Sequence, residues 1–139
     1  MTGAKLHLGT YAWFVMVGTL MGAAASRHGL PPDLHLSVVE RYTDGIALSE
    51  GLMQGLRFEV AGGAPSFRVG VGAGERGDIM IEISTAAARE LNGLRSTDPR
   101  YHAAIARHRR SGAMRLTGDP LRMGGWLEAV HDAIADRTA

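Results

Sequence analysis

The chain has 139 residues, a formal net charge of +1, 45% hydrophobic and 21% charged residues, and no cysteine. That length suits one domain, residues 1–139, with room to bury a core, and the near-balanced charge argues against a surface built to coat nucleic acid. The lack of cysteine excludes thiolate chemistry, disulfide staples and cysteine-type zinc sites.

Leu8 to Ser26 carries no charge, and its apolar content is densest from Tyr11 to Val17. Its length fits a bilayer span, and Gly18 with Gly22 forms a small-xxx-small pair. Lys5 before it and Ala23-Ala24-Ala25 near its end also fit a secretory signal. The reading preferred is a helix over residues 6–27, buried against the domain or in a subunit interface. A helix without a polar face needs a cover of protein or apolar ligand.

After Pro31-Pro32-Asp33, the stretch Leu34 to Val38 alternates and continues to Tyr42, with Thr43-Asp44-Gly45 as its turn, and so reads as a strand. Leu56, Phe58 and Val60 alternate with Arg57 and Glu59 in a second strand; Gly62-Gly63 turns the chain, and Phe67, Val69 and Val71 form a third. Gly70-x-Gly72-x-Gly74 leads into another strand instead of a helix, so it lacks the context of a dinucleotide fingerprint.

Gly77-Asp78 opens a fourth strand, Ile79 to Ile83, and Ser84-Thr85 caps an alanine-rich helix running to Leu94. A helix is expected from Pro99 to about Arg110, a fifth strand within Gly112 to Thr117, and a last helix from Pro120 to about Ala135 with Met123, Leu127, Val130 and Ile134 on one stripe. Each of the five strands has one apolar face and needs a layer over it. The fold class is therefore α+β, a mainly antiparallel five-stranded sheet with helices packed on one face.

The segments Gly77-Asp78-Ile79-Met80-Ile81-Glu82-Ile83-Ser84, the helix exit Asn92-Gly93-Leu94 and Gly112-Ala113-Met114-Arg115-Leu116-Thr117-Gly118-Asp119 are similar to segments of the nonspecific lipid-transfer proteins of the sterol carrier type. The order of elements resembles that family as well, over roughly Leu34 to Ala135, with the core at residues 34–136. The resemblance implies a sterol-carrier-like fold and an apolar pocket between sheet and helices. Arg109 and Arg110 stand where that family tends to place large apolar residues facing its tunnel.

The six histidines form no metal motif, because His102 and His108 lie six apart and no H-x-x-x-H or H-E-x-x-H spacing occurs. No metal and no cofactor is expected. The first functional reading is a carrier or accessory protein that holds a lipid, acyl chain or polyketide- or terpenoid-like metabolite. Trp13, Phe14, Tyr101, Ile105, His108, Met114 and Trp126 are its expected pocket residues, and His108 is expected to point inward on the Tyr101, Ala104 and Ile105 face of its helix. Arg109 and Arg110, in the basic stretch from Arg100 to Arg115, are candidates for an anionic headgroup such as that of coenzyme A or a phospholipid. The alternative is a small cofactor-independent cyclase, isomerase or hydrolase drawing acid and base groups from His108, Tyr101, Glu82 and Asp119. The partner is thus an apolar small molecule and not nucleic acid; peripheral membrane contact and a homodimer through the N-terminal helix are further options. The compartment adopted is the cytoplasm, the alternatives being membrane anchoring or secretion through residues 8–26.

Overall fold

A computed structural model describes residues 4–139. The uncharged segment is helix α1 (Tyr11–His28), started by the Thr10 side chain accepting from the Trp13 N–H at 3.2 Å and ended at Gly29, whose φ of 80° favours glycine. It buries Trp13, Phe14, Val17, Met21, Ala24 and Ala25. No helix among the described residues is long and apolar enough to cross a membrane.

Five strands follow: β1 (Leu36–Tyr42), β2 (Met53–Ala61), β3 (Ala64–Val71), β4 (Ile79–Ile83) and β5 (Met114–Thr117). They form one sheet in the order β3-β2-β1-β4-β5, antiparallel except for the parallel pair β1 and β4. The β2–β3 hairpin turns on Gly62 and Gly63, both at positive φ (59° and 76°), as a two-residue turn between twisted strands requires. The parallel pair has no hairpin to set its register. A side-chain clasp sits at its mouth: Asp78 Oδ2 accepts from the Ser37 N–H and hydroxyl at 3.0 and 3.1 Å, and the Asp78 N–H donates to Ser37 Oγ at 3.0 Å.

Helices α2 (Thr85–Asn92) and α3 (Pro99–Ser111) link β4 to β5. Ser84 caps the first through the Ala87 N–H at 3.1 Å. Asp98 with Pro99 starts the second, and Gly112 ends it in the left-handed region at φ 84°. The expected single helix from Pro120 to Ala135 is instead three pieces: a 3₁₀ turn (Pro120–Arg122), α4 (Trp126–Ala129) and α5 (His131–Asp136). Gly124, at φ 117°, breaks the path between the first two. The apolar stripe survives the break, since Met123, Val130 and Ile134 are all buried.

Period-two alternation divides β1 between the two faces of the sheet. Leu36, Val38 and Tyr42 join the main core with Leu56, Phe58, Ile79 and Ile83 from neighbouring strands and with the helices. Val39 faces the other way and packs with Val71 and Met80 in a small second cluster. That open face is otherwise charged, with Arg41 paired to Glu82 at 3.2 Å and Arg57 bridging Glu59 and Glu75 at 2.8 and 3.2 Å. The α+β class, the five strands and their mainly antiparallel pairing agree with the sequence expectation.

Candidate functional site: a cavity with a carboxyl in its wall

Between the sheet and the helices lies a cavity of about 180 Å³. Val38, Phe58 and Ile81 form part of its floor, α1 contributes Trp13, Val17 and Met21, and α2 contributes Ala88 and Leu91. The Trp13 indole is fixed at the wall, since its N–H donates to Thr138 Oγ1 at 2.9 Å and its ring meets Phe14 edge-on at 5.0 Å. Leu6 is tied to residues 137–139 there too. The Leu6 N–H donates to the Arg137 carbonyl at 2.9 Å, and the Ala139 N–H to the Leu6 carbonyl at 2.8 Å.

The polar lining is sparse: Glu40, Asn92, Tyr101, Glu128 and His131. Tyr101, near the start of α3, stacks on His131 at 4.4 Å, and burial followed by the nearby Glu128 and Asp132 carboxylates pushes its phenol up to about 12. His131 Nε2 lies 2.8 Å from the Leu94 carbonyl oxygen. A carbonyl only accepts, so Nε2 carries a proton and donates it to Leu94. Asn92 donates to the Ala88 carbonyl at 2.8 Å, which leaves its side-chain oxygen free as an acceptor.

Glu40 is the unusual member. It sits on the central strand β1, in phase with Leu36, Val38 and Tyr42 on the covered face, and it lines the cavity. Among the described residues no side chain or backbone group hydrogen-bonds its carboxyl, and burial raises that carboxyl from 4.5 to about 7. Beside it the Tyr42 hydroxyl is buried without a hydrogen-bond partner. Burial first, then the charge of Glu40, raises the Tyr42 phenol far above its ordinary value, so it stays protonated. An unpaired carboxyl withdrawn from bulk water costs stability unless something neutralises or binds it.

Of the residues singled out in the sequence, Trp13, Tyr101 and Met114 line the cavity. Phe14 and Trp126 are core residues behind it; the Trp126 N–H donates to the Met123 carbonyl at 2.9 Å, and its ring packs on Phe58 at 5.6 Å. Ile105 packs against the core without reaching the lining. The inward orientation expected for His108 is corrected: its Nε2 lies 2.8 Å from Glu90 Oε1, which also holds Arg107, in a cluster outside the lining. The four acid–base candidates are dispersed. Glu82 pairs with Arg41 on the open face, Asp119 caps the 3₁₀ turn by accepting from the Leu121 N–H at 3.0 Å, and of the four only Tyr101 borders the cavity. Arg109 and Arg110 are exposed on the last turn of α3 and contribute nothing to the lining.

Glu40, Glu128 and His131 were missed in the sequence. For Glu40 a signal existed, because a charged residue in phase with Leu36, Val38 and Tyr42 must face the covered side of its strand. The five lining groups with polar side chains come from β1, α2, α3, α4 and α5, so no local spacing could have grouped them.

No family model matches the sequence, and no curated protein does. Solved structures do. Sterol carrier protein 2 superposes with a TM-score of 0.52 over 96% of this chain and 100% of that one, at 16% identity. A "UbiJ-SCP2 Ubiquinone synthesis protein" is similar over 90% of this chain and 89% of that one (TM-score 0.46, 14% identity), and sterol carrier protein domain 2 of Helicoverpa armigera over 97% of each (0.44, 12%). The fold is sterol-carrier-like.

Proposed function

We propose that the protein binds a compact apolar small molecule in the cavity between its sheet and helices, as a carrier or accessory protein. The observation that carries this reading is the cavity itself, walled by Trp13, Val17, Met21, Phe58, Leu91 and Ile134 around a few separated polar groups. Apolar walls with a small number of placed polar groups are the usual makeup of a small-molecule site. The sterol-carrier-like fold supports it as a likeness of architecture.

The volume sets the scale of the ligand. About 180 Å³ compares with the roughly 150 Å³ at which an engineered apolar cavity takes up benzene, and with the roughly 300 Å³ at which drug-sized pockets begin. A single ring with one or two substituents fits as the cavity stands. The dispersal of His108, Glu82 and Asp119 favours binding over catalysis by the expected quartet.

Toluene binding followed by NMR tests the reading. Wild type should show saturable shifts at Val17, Met21, Leu91 and Ile134, and Ala88→Leu, which fills the lining, should weaken binding at least tenfold. Shifts confined to surface residues, or equal affinity in the filled variant, would reject the cavity as the site.

A further inference from the structure

Resting on the cavity reading, we infer that the natural ligand is a compact apolar amine, its ammonium group paired with the Glu40 carboxylate. Three observations converge. The lining holds two carboxyls, Glu40 and Glu128, and neither lysine nor arginine. The half-buried Glu40 carboxyl has no hydrogen-bond partner among the described residues, and the cavity lies in front of it. Trp13, Phe58 and Tyr101 contribute aromatic rings to the same lining, the surroundings that attract a desolvated cation.

The electrostatics select the sign of the ligand. A carboxylate-bearing ligand placed head-first would bring a second anion beside Glu40 with no cation in the lining to offset it, and like charges in a dry site repel strongly. A pure hydrocarbon fills the space but leaves the buried carboxyl as it was. An ammonium supplies the missing counter-ion and donors at once, and an ion pair in a low-dielectric site compensates the desolvation of both partners when the geometry is good. Glu128, exposed on α4 at the cavity edge, adds an attractive charge on the way in. Tyr101 and Tyr42 remain neutral phenols, their ionisation opposed by burial.

Pairing with an ammonium requires Glu40 to ionise. Its raised value near 7 therefore makes amine binding weaken as pH falls below neutrality. His131 also lines the cavity, so the Glu40 contribution has to be separated by substitution.

The experiment compares four probes of one shape, namely benzylamine, benzyl alcohol, toluene and benzoate, on wild type and Glu40→Gln by NMR titration. In wild type at pH 7.5 benzylamine should bind at least tenfold more tightly than toluene, and benzoate most weakly. Between pH 7.5 and 6 the benzylamine affinity should fall by roughly tenfold, with toluene unchanged. Glu40→Gln should remove most of the amine preference, bringing benzylamine to within about threefold of toluene in the same variant. Should that variant fold poorly, the ¹³C resonance of the Glu40 carboxyl in wild type gives a second readout, and saturating benzylamine should lower its titration midpoint by at least one pH unit. Toluene binding without an amine preference, equal effects of Glu40→Gln on amine and alcohol, or a Glu40 midpoint unmoved by benzylamine would overturn the amine assignment while leaving the apolar cavity intact. Failure of toluene and benzylamine alike would reject both.

Discussion

Glu40 couples the empty protein's stability to pH even before any ligand is considered. Burial raises its carboxyl from 4.5 in an ordinary setting to about 7 in the fold, so between those values the folded chain holds a proton that the unfolded chain has released. Stability is then fully present below about pH 4.5, declines as pH rises and levels off above about pH 7. The full span corresponds to roughly 3 kcal/mol. Equilibrium denaturation at pH 5 and pH 8 should show wild type losing roughly 2–3 kcal/mol and Glu40→Gln losing less than about 1; parallel losses in the two proteins would mean that Glu40 does not carry the dependence. His108 supplies the contrasting case. Bound to Glu90 outside the lining, it should be replaceable by alanine with toluene affinity changed less than about twofold, as for a site that does not touch the ligand, whereas Met114→Ala should alter affinity clearly because it reshapes the wall. In sequence, His108 drew notice through the helical face it shares with Tyr101, Ala104 and Ile105. Helix α3 buries only Tyr101 and Ala104, and Glu90 on α2 captures the imidazole before it can turn inward. Helical phase narrows the direction of a side chain; the neighbouring helix determines what it meets.

The strands were readable because each alternates and each ends in a turn or cap signal, and Ser84 and Pro99 announced the starts of α2 and α3. The C-terminal segment was misread for a physical reason: Met123, Leu127, Val130 and Ile134 keep helical spacing across a break, so periodicity alone predicts one helix. Gly124-Gly125 was the local sign of the interruption, and Gly124 takes φ 117°, closed to most side chains. Helix α1 meets β3 through another glycine. A Cβ on Gly18 would lie 2.4 Å from the Phe67 ring, a separation that real contacts do not tolerate. Alanine in a helix interior is favoured over glycine by about 1 kcal/mol, yet overpacking costs about 1–3 kcal/mol, and at this distance the clash should win. Gly18→Ala is therefore expected to destabilise by roughly 1 kcal/mol, moderated because Phe67 is 37% exposed and can swing outward. In a Phe67→Ala background the same change should become neutral or stabilising. A double-mutant cycle from urea melts measures the coupling, and a stabilising Gly18→Ala in wild type would show that α1 does not approach β3 this closely.

At the scale of the molecule, the cavity is bounded by parts of unequal rigidity. The sheet is tied by five paired strands, and α1 is an unbroken helix of 18 residues. The part of the wall supplied by Leu127, Glu128, Val130, His131 and Ile134 comes from helices of four and six residues that meet at Val130. Short helices gain little from their own hydrogen bonds and depend on packing, so a ligand larger than about 180 Å³ should make room by displacing this wall. The Trp126 contact with Phe58 at 5.6 Å would part first, because Trp126 belongs to the four-residue α4 and Phe58 to the central part of β2. Trp13→Phe leaves Trp126 as the sole tryptophan of the two and turns this into a fluorescence measurement. Toluene, which fits the existing space, should leave Trp126 emission nearly unchanged. A four-ring sterol or a long acyl chain, if bound, should shift it to the red as the indole meets water, and amide exchange should accelerate across 120–136 while β1 and β2 stay protected. Tight sterol binding with Trp126 emission and exchange unaltered would mean that the cavity enlarges elsewhere, and would remove the C-terminal pieces as its adjustable wall.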